Sequence, residues 1–262
     1  MSGAAWNESS RADGWIFRPR RVPPDTLAAF SGRGVAPPGL TSPTEILARR
    51  LAEAVGAGSL PIVRATQVHG RRATIVDRAP PAGQTRDAGE CDALATTLPN
   101  LALVVQTADC VPILLRTEGA IAAAHAGWRG SAIGVAGAAL DALRDLGARA
   151  EDVEAWIGPS IGACCYEVGG EVARHFAGDF ARRDCGGHFR LDLKAVNSSQ
   201  LESGGVRPEA ISIHPSCTKC GGDRYASYRR DGSAAGRMIG LIARVRHRET
   251  GSGRRETGLD QA

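Results

Sequence analysis

The chain has 262 residues, of which 43% are hydrophobic and 23% are charged, with only 5% aromatic residues. This composition is typical of a globular protein and excludes the collagen-like and disordered classes. No segment approaches the roughly 18 consecutive apolar residues of a membrane span. The formal charge of +4 arises from 32 basic and 28 acidic residues, an excess too small to indicate nucleic-acid binding. We therefore expect one domain without nucleic-acid or membrane partners.

The cysteine count and the chain ends predict the compartment and the domain limits. The seven cysteines are an odd number, and the N-terminal residues lack the basic and apolar pattern of a secretory signal. We expect a cytoplasmic location with reduced thiols, because disulfides rarely persist there. The polar ends predict mobile segments at 1–13 and 248–262, flanking one catalytic domain at 14–247. Both a monomer and a small homo-oligomer are compatible with the sequence.

The predicted elements alternate between helices and short strands. The first clear helix is SPTEILARRLAEAVG, with Ser42 as N-cap, Glu45 closing a capping box and Gly56 as the stop. Short apolar or β-branched runs predict strands at LPIVRATQVH, RRATIVD, LALVVQT, VPILLRT and AIAAAHA. The polar stretch 78–90 predicts a loop.

The second half continues the same alternation. Helices are predicted over 131–146, 171–180 and 193–203, with strands at VEAWIG, FRLDL, AISIH and GRMIGLIARV. The mixture of hairpin and crossover spacings predicts an α/β fold, a single-domain layered sandwich with helices on the faces of a mixed sheet.

Three potential metal ligands stand at the ends of apolar strands. They are His69 in TQVHG, Cys110 in QTADCVPILL and His125 in AAAHAGWRG. Side chains at strand ends can converge on a cleft, but these three are too far apart in the chain to match a short zinc-finger pattern. From the residues alone, hydrogen-bonded structural histidines and a small buried cysteine are an equally compatible interpretation.

Six ordered motifs resemble those of a known family. They are TQVHG, CDALATTLPNLALVVQTADCVPILL, AIAAAHAGWRG, WIGPSIGACCYEVGGEV, LDLKAVNSSQL, and SCTKC followed by YASYRRDGSAAGRMIGLI. Together they cover about residues 30–243 and resemble the YfiH-like family, also called the laccase-domain or polyphenol oxidoreductase family.

This resemblance implies both an activity and a metal. It implies a purine nucleoside phosphorylase for adenosine, inosine, guanosine and 5′-methylthioadenosine that also deaminates adenosine. It implies one catalytic zinc ion per chain, bound by His69, Cys110 and His125. The implied fold is a compact layered α/β sandwich shared with a bacterial toxin deamidase.

The ligand set suits that chemistry. Two neutral imidazoles and one thiolate leave zinc with a net positive charge and an open fourth position. Phosphorolysis also needs cationic groups for the phosphate. Arg129 is the candidate because it follows His125 by four residues and precedes the predicted helix start at Ser131. A surface salt bridge fits Arg129 equally well.

Three further residues are candidates for substrate binding. Arg33 in FSGRG resembles the arginine of the family's early strand end, but the glycine, serine and asparagine-rich segment that usually follows is shortened to GVAPPGL. The contribution of that segment to substrate recognition is therefore in question. Gln67 shares a predicted strand face with His69, and an ordinary surface role is equally compatible. Tyr166 could stack on a base.

Four other cysteines have no role in the implied zinc site. Cys164 and Cys165 are adjacent in GACCYEVG, and we expect them to pack in the pocket wall. Cys217 and Cys220 form a lone CxxC, which could be a redox pair or half of a structural zinc site. No second CxxC completes a four-cysteine site, so we expect free thiols.

Four alternative functions are compatible with the residues or with the resemblance. A multicopper phenol oxidase needs on the order of ten histidines in close pairs, whereas the chain has six histidines and no HxH pair. Cys110 could be a nucleophile with His125 as its base, as in a deamidase or cysteine hydrolase. The family is also linked to amide cleavage in peptidoglycan precursors that carry serine in place of alanine. The fourth alternative is a binding module without catalysis.

Overall fold

The structure is a computed structural model that describes residues 6–11, 14–33 and 43–245. Its strands are, in chain order, β1 (Trp6–Arg11), β2 (Gly14–Pro19), β3 (Thr26–Ser31), β4 (Ile62–Thr66), β5 (Ala73–Ile75), β6 (Thr85–Glu90), β7 (Ala93–Thr96), β8 (Leu101–Thr107), β9 (Val111–Arg116), β10 (Ile121–Ala126), β11 (Glu154–Ile157), β12 (Glu167–Val168), β13 (Ala181–Arg183), β14 (Phe189–Leu191), β15 (Ile211–Ile213) and β16 (Met238–Arg244). Its α-helices are α1 (Pro43–Ala54), α2 (Trp128–Ala132), α3 (Val135–Asp145), α4 (Gly170–Ala173), α5 (Leu193–Ser203) and α6 (Tyr228–Asp231). None of these helices is both long and apolar enough to cross a membrane.

Two mixed sheets form the body of the molecule. The first has the order β1-β2-β3-β16-β8-β4-β6, and the second has the order β15-β11-β9-β10-β7-β5. In the first sheet β4 is parallel to both β8 and β6, while the remaining pairs are antiparallel. In the second sheet the outer pairs β11–β15 and β5–β7 are parallel. A small third sheet has the order β12-β14-β13.

The alternation of side chains in the central strands stacks these sheets into layers. In β9, Leu114 packs between the two sheets with Phe30 of β3. Its neighbours Ile113 and Leu115 point to the opposite face and pack with Leu140 of α3. Helix α1 covers the outer face of the first sheet. The order is helix, sheet, sheet, helix, so the predicted single-domain layered α/β sandwich is confirmed, with two stacked mixed sheets where one was expected.

Several predicted elements coincide closely with the observed ones. Strand β8 corresponds to LALVVQT, and α5 corresponds to the helix predicted over 193–203. Helix α1 is followed by Gly56 at a φ of 82°, a left-handed conformation that suits the predicted stop. Its proposed N-cap, Ser42, lies outside the described residues.

The N-terminal segment predicted to be mobile contains a strand. Trp6 at the start of β1 is 5% exposed, and its ring lies 5.7 Å from that of Phe30 and 4.9 Å from that of His214. The prediction is therefore wrong for residues 6–11, because one aromatic anchor attaches an otherwise polar strand to the core. Residues 1–5, 12–13 and the predicted C-terminal tail 248–262 lie outside the described residues.

Two predicted helices are shorter than expected. The helix predicted over 131–146 is divided into α2 and α3 by Gly134, whose φ of 85° is left-handed and cannot continue a right-handed helix. The helix predicted over 171–180 is reduced to the four residues of α4. Gly178 lies in its expected second half, where glycine disfavours the helix by about 1 kcal/mol relative to alanine.

The stretch 78–90 is not entirely a loop, because its second half forms β6. This strand pairs in parallel with β4 at the edge of the first sheet. Its sequence TRDAGE has no alternating apolar residues, and most of its side chains are exposed. Charged residues on edge strands prevent pairing with other chains, and they also remove the pattern by which a strand is predicted.

The packing of Trp6 predicts that β1 contributes to stability. Trp6→Ala is expected to lower the free energy of unfolding by about 3–5 kcal/mol, since it removes a buried aromatic side chain. Ser9→Ala in the exposed part of the same strand is the matched control, with an expected change within about 0.5 kcal/mol. Urea unfolding measures both variants. Equal stability of the two would show that β1 does not pack as described.

Candidate metal centre and cavity

Three strand ends bring His69, Cys110 and His125 together. His69 lies in the turn after β4, Cys110 in the turn between β8 and β9, and His125 near the end of β10. The ligand atoms of the three side chains all lie within 4.8 Å of one another. Cys110 Sγ is 4.0 Å from His69 Nε2. Zinc bonds of about 2.0–2.3 Å require tetrahedral ligand atoms about 3.3–3.8 Å apart, so small side-chain movements suffice to bind an ion.

The turn that carries His69 is held by a buried carboxylate. Asp92, which precedes β7 and is fully buried, accepts hydrogen bonds from the backbone N–H groups of Val68, His69 and Gly70 at 3.2, 3.0 and 2.7 Å. His69 itself has a φ of 62°, a left-handed conformation that is uncommon outside glycine. The three hydrogen bonds offset this backbone strain, which is characteristic of functional sites.

The same carboxylate orients the second histidine. Asp92 Oδ1 lies 2.8 Å from His125 Nδ1, so His125 Nε2 is the nitrogen available to a metal. Burial by itself would raise the pKa of Asp92, but the hydrogen bonds from His125 and from the Gly70 and Val68 backbone lower it overall. The Asp92 carboxylate therefore holds the backbone of His69 and orients the imidazole ring of His125.

Cys110 and His125 form a charge-stabilised pair. Burial raises the pKa of the Cys110 thiol, but hydrogen bonds and charge interactions with His125 and His69 outweigh burial and lower the pKa to about 6. Burial also opposes protonation of His125, yet Asp92 and Cys110 together raise its pKa to about 9. Cys110 is thus a thiolate at neutral pH, the form that binds a metal or attacks an electrophile.

A glycine gives the ligands the space they need. A Cβ atom at Gly127, between β10 and α2, would lie 2.7 Å from His69 Cδ2 and 3.1 Å from Cys110 Sγ. The first distance is far shorter than any normal contact, so a larger residue would displace the His69 ring. Gly127 is therefore part of the site although it offers no functional group.

His69 and Cys110 line a cavity of about 300 Å³, near the lower limit for small-molecule sites. Its lining consists of His69, Ala108, Asp109, Cys110, Trp128, Arg129, Ile161, Tyr166, Leu193, Tyr228 and Arg229. His125 lies behind the cavity wall and is 3% exposed.

Each of the two arginines in this lining lies against an aromatic ring. The Arg129 guanidinium carbon lies 4.4 Å from the centre of the Trp128 ring, and that of Arg229 lies 5.2 Å from the centre of the Tyr166 ring. Within the described residues, neither arginine forms an ion pair with a carboxylate. Within the described residues Arg129 thus has no salt-bridge partner. Neither guanidinium group is occupied by a carboxylate there, so both can interact with an anion.

Gln67 lies outside the cavity lining. Its amide donates to the backbone carbonyl of Gln106 and accepts from the Gln106 N–H, both at 2.8 Å. Gln67 therefore continues the pairing of β4 with β8, and its side-chain amide is already occupied.

Arg33 also lies outside the lining. Its guanidinium is 3.6 Å from Asp231 and 3.9 Å from Asp223. The segment that follows it, 34–42, is outside the described residues. The described contacts of Arg33 are with α6 and its surroundings.

Residues 45–245, which are most of the chain, match the family model described as multi-copper polyphenol oxidoreductase laccase. The chain belongs to this family. The family resemblance of its motifs is thus confirmed. A purine nucleoside phosphorylase of Streptomyces coelicolor is 38% identical to this laccase-domain protein over 226 residues, which cover 84% of this chain and 89% of the relative.

Two further proteins are similar to this laccase-domain chain, one in sequence and one in structure. The adenosine deaminase RL5 of an unknown prokaryotic organism is 34% identical over 207 residues, covering 74% of this chain and 79% of the relative. The crystal structure of YlmD from Geobacillus stearothermophilus superposes with a TM-score of 0.78 at 28% identity, covering 91% of this chain and 99% of that chain. This chain thus shares its layered α/β sandwich with YlmD.

Asp92 is the residue of this laccase-domain site that the sequence analysis missed. It stands in CDALAT, where a lone acidic residue directly precedes a buried strand. A charged residue inside an apolar run is rarely buried without a partner, and that signal could have singled it out. Its partners, three backbone N–H groups and one imidazole, come from distant parts of the chain and have no signature in the local sequence.

The close approach at Gly127 predicts that a single methyl group impairs metal binding. Gly127→Ala is expected to weaken zinc binding about tenfold or more, because the new Cβ displaces the His69 ring. Competition with a chromophoric chelator measures the affinity. The matched control is Gly137→Ala in the interior of α3, where a Cβ meets no heavy atom within 4 Å. This control should bind zinc normally and be stabilised by about 0.5–1 kcal/mol. Equal zinc affinity of the two variants would contradict the described geometry.

Proposed function

We propose that this laccase-domain protein is a zinc-dependent purine nucleoside phosphorylase that also deaminates adenosine. The observation that carries the proposal is a His, Cys, His ligand group at the wall of a cavity that Arg129 and Arg229 also line, neither of which has a carboxylate partner among the described residues. The relatives named purine nucleoside phosphorylase and adenosine deaminase are similar over most of their length, which supports the same chemistry here.

The chemistry of the donor set favours zinc as the resident metal. Two imidazoles and one thiolate form a three-ligand set of the kind that zinc enzymes use, with one position left for a substrate. Asp92 supplies the hydrogen-bonded outer partner that metal-bound histidines usually have. When bound, zinc would supply a Lewis acid at the cavity wall.

Copper suits the residues less well, although the family model carries a multicopper description. Multicopper oxidation of phenols needs several imidazole-rich centres. The described residues contain two candidate ligand groups, the His69, Cys110 and His125 group and a cluster of four cysteines. The other described histidines, His175, His188 and His214, belong to neither group. We therefore propose nucleoside chemistry rather than phenol oxidation.

The residues around the metal ligands would have different roles in phosphorolysis. Arg129 is exposed at the start of α2, where backbone N–H groups also attract anions, and it would bind phosphate. Arg229 adds a second positive charge across the cavity. Trp128 and Tyr166 offer aromatic surface to the purine. Phosphate and nucleoside would thus bind next to each other beside the metal ligands. Residues of α2 and of the segment that carries Tyr166 would orient them.

One observation favours a second candidate function, a hydrolase in which Cys110 is the nucleophile. The lowered pKa of Cys110, about 6, and its contact with His125 are also properties of a cysteine–histidine catalytic pair. The two functions differ in their dependence on metal. Activity that survives in verified metal-free protein and is abolished by alkylation of Cys110 would establish the hydrolase.

The proposed activity predicts phosphate-dependent release of hypoxanthine from inosine by protein of defined zinc content. Cys110→Ala should reduce this rate by more than about 100-fold, since even outer partners of a metal ligand contribute 10–100-fold. Cys185→Ser, which changes an exposed cysteine outside the site, is the control and should keep wild-type activity. Chromatography of the released base measures the rate.

A parallel assay separates the amide-cleaving alternative. A muramyl peptide that carries serine in place of alanine is incubated with the same protein preparation. Cleavage of this peptide without any release of hypoxanthine from inosine would overturn the phosphorylase proposal.

The position of Arg129 predicts a selective loss of phosphorolysis. Arg129→Ala should lower kcat/KM for phosphate by about 10–100-fold, because a charged hydrogen bond contributes about 1.5–3 kcal/mol. Adenosine deamination, which uses no phosphate, should change much less, and zinc content should stay the same. The control is Arg149→Ala, at an exposed arginine that pairs with Glu151. Equal losses of both activities in Arg129→Ala would argue against a phosphate-binding role.

A further inference from the structure

Four cysteines that lie outside the cavity lining gather in one cluster. Cys164 and Cys165 come from the segment between β11 and β12, and Cys217 and Cys220 come from the segment after β15. All four sulfur atoms lie within 4.8 Å of one another. We propose that this tetracysteine cluster is a second metal site, in which a structural zinc ion binds four thiolates and joins the two segments.

The sulfur positions fit a shared ion better than a disulfide. Cys164 Sγ lies 3.8 Å from Cys220 Sγ. A tetrahedral zinc ion with Zn–S bonds of about 2.3 Å separates its sulfur atoms by about 3.8 Å. A disulfide needs a separation of about 2.05 Å, and all seven cysteines of the chain are free in the structure. The cluster also supplies what the lone CxxC lacks in the sequence, because the adjacent pair replaces a second CxxC.

The backbone around Cys217 forms a tight turn of the kind that carries metal-binding cysteines. The Gly221 N–H donates to the Cys217 carbonyl at 2.8 Å, which closes the CxxC turn. Burial raises the pKa of the Cys217 thiol, but the nearby backbone N–H groups of Cys220, Gly162 and Lys219 favour its thiolate form and lower the pKa overall. Backbone N–H groups near a cysteine sulfur stabilise a thiolate and orient a metal ligand.

The two cysteine segments are held together independently of the sulfur atoms. Ser160 and Cys217 form a β-bridge, and the Thr218 N–H donates to the Ser160 carbonyl at 3.0 Å. A Cβ atom at Gly162 would lie 3.2 Å from Cys217 Cβ and 3.4 Å from Cys164 Sγ. The approach of the segments therefore depends on glycine at this position, and it brings all four thiols together in the folded protein.

A buried lysine is hydrogen-bonded to the segment that leads into Cys217. Lys194 at the start of α5 is 7% exposed, and its ammonium group donates to the carbonyls of His214 and Ser216, both at 2.7 Å. Burial lowers the pKa of Lys194 to about 8, and negative charge on Asp192 and, to a smaller extent, on Cys217 and Cys164 opposes this shift. A buried ammonium group is costly without an opposite charge. Zinc with four thiolates carries a net charge of −2, which Lys194 would partly neutralise.

The cluster adjoins the cavity through the same two segments. The segment of Cys164 and Cys165 also carries Ile161 and Tyr166 of the cavity lining. On the other segment, Thr218 Oγ1 donates to Asp109 at 2.5 Å, next to the metal ligand Cys110. A site with four protein ligands has no open position for chemistry. Its role is to fix the cavity wall, and the protein would then hold two zinc ions rather than the single ion that the family resemblance implies.

The test isolates this cluster from the catalytic ligands. The double variant His69→Ala/Cys110→Ala, purified without added metal or chelator, should retain about one zinc per chain by elemental analysis. X-ray absorption at the zinc edge should show four sulfur atoms at about 2.3 Å. Absence of zinc from this folded variant, or zinc with nitrogen or oxygen ligands, would overturn the proposal. So would a disulfide among the four cysteines in the mass spectrum of freshly purified protein.

A further substitution locates the ion. Adding Cys217→Ser and Cys220→Ser to the same background should remove the remaining zinc and lower the melting temperature. Adding Cys185→Ser instead should leave both unchanged, because that exposed cysteine lies outside the cluster. Zinc that persists after loss of Cys217 and Cys220 would refute the assignment. If those substitutions prevent folding, the absorption spectrum of the parent double variant still decides the question, and neither outcome depends on the activity of the enzyme.

Discussion

The candidate site depends on one buried carboxylate. Asp92 is fully enclosed between the sheets, and a charge in such a position must be matched by hydrogen bonds or opposite charge. It receives three backbone N–H groups from the turn after β4 and the imidazole of His125 on β10. These partners belong to different sheets, so satisfying one charge fixes the relative position of two candidate metal ligands. The third ligand, Cys110, then needs only the turn between β8 and β9.

Unusual backbone conformations are concentrated around this carboxylate. Of the three described non-glycine residues with positive φ, two are His69 and Asp109, which lie at or beside metal ligands. Gly127 is restricted by the ligands that it touches. Such local strain persists only where surrounding interactions over-determine the structure. Here the hydrogen bonds of Asp92 hold the first turn, while the Asp109 carboxylate, bonded to Thr218 and to the Arg229 backbone, holds the second.

The two cysteine-containing sites differ in their ligands and in the charged groups around them. Cys110 faces a cavity with arginines on its walls, which suits a thiolate-bound metal that meets anionic or polar substrates. Backbone hydrogen bonds hold together the two segments of the tetracysteine cluster, whose Cys217 follows directly after the Ser216 carbonyl that binds the buried Lys194. In the proposed arrangement the closed site would stabilise the segments that carry Tyr166 and Arg229, and the open site would perform the reaction. The two sites differ both in ligand type, two imidazoles and one thiolate against four thiolates, and in the coordination position that only the first leaves vacant.

The sequence by itself determined the strongly patterned elements, such as β8 and α5, and the family with its three implied metal ligands, because apolar periodicity and ordered motifs are local properties. It did not predict β1 or β6, because these strands are polar and are recognisable only by the strands with which they pair. It also did not predict the break at Gly134, because the left-handed backbone conformation there interrupts a continuous helical pattern. The tertiary structure alone decided the role of Asp92 and the meeting of Cys164 and Cys165 with Cys217 and Cys220. Both depend on which turns the stacked sheets bring together, and spacing along the chain does not encode that proximity.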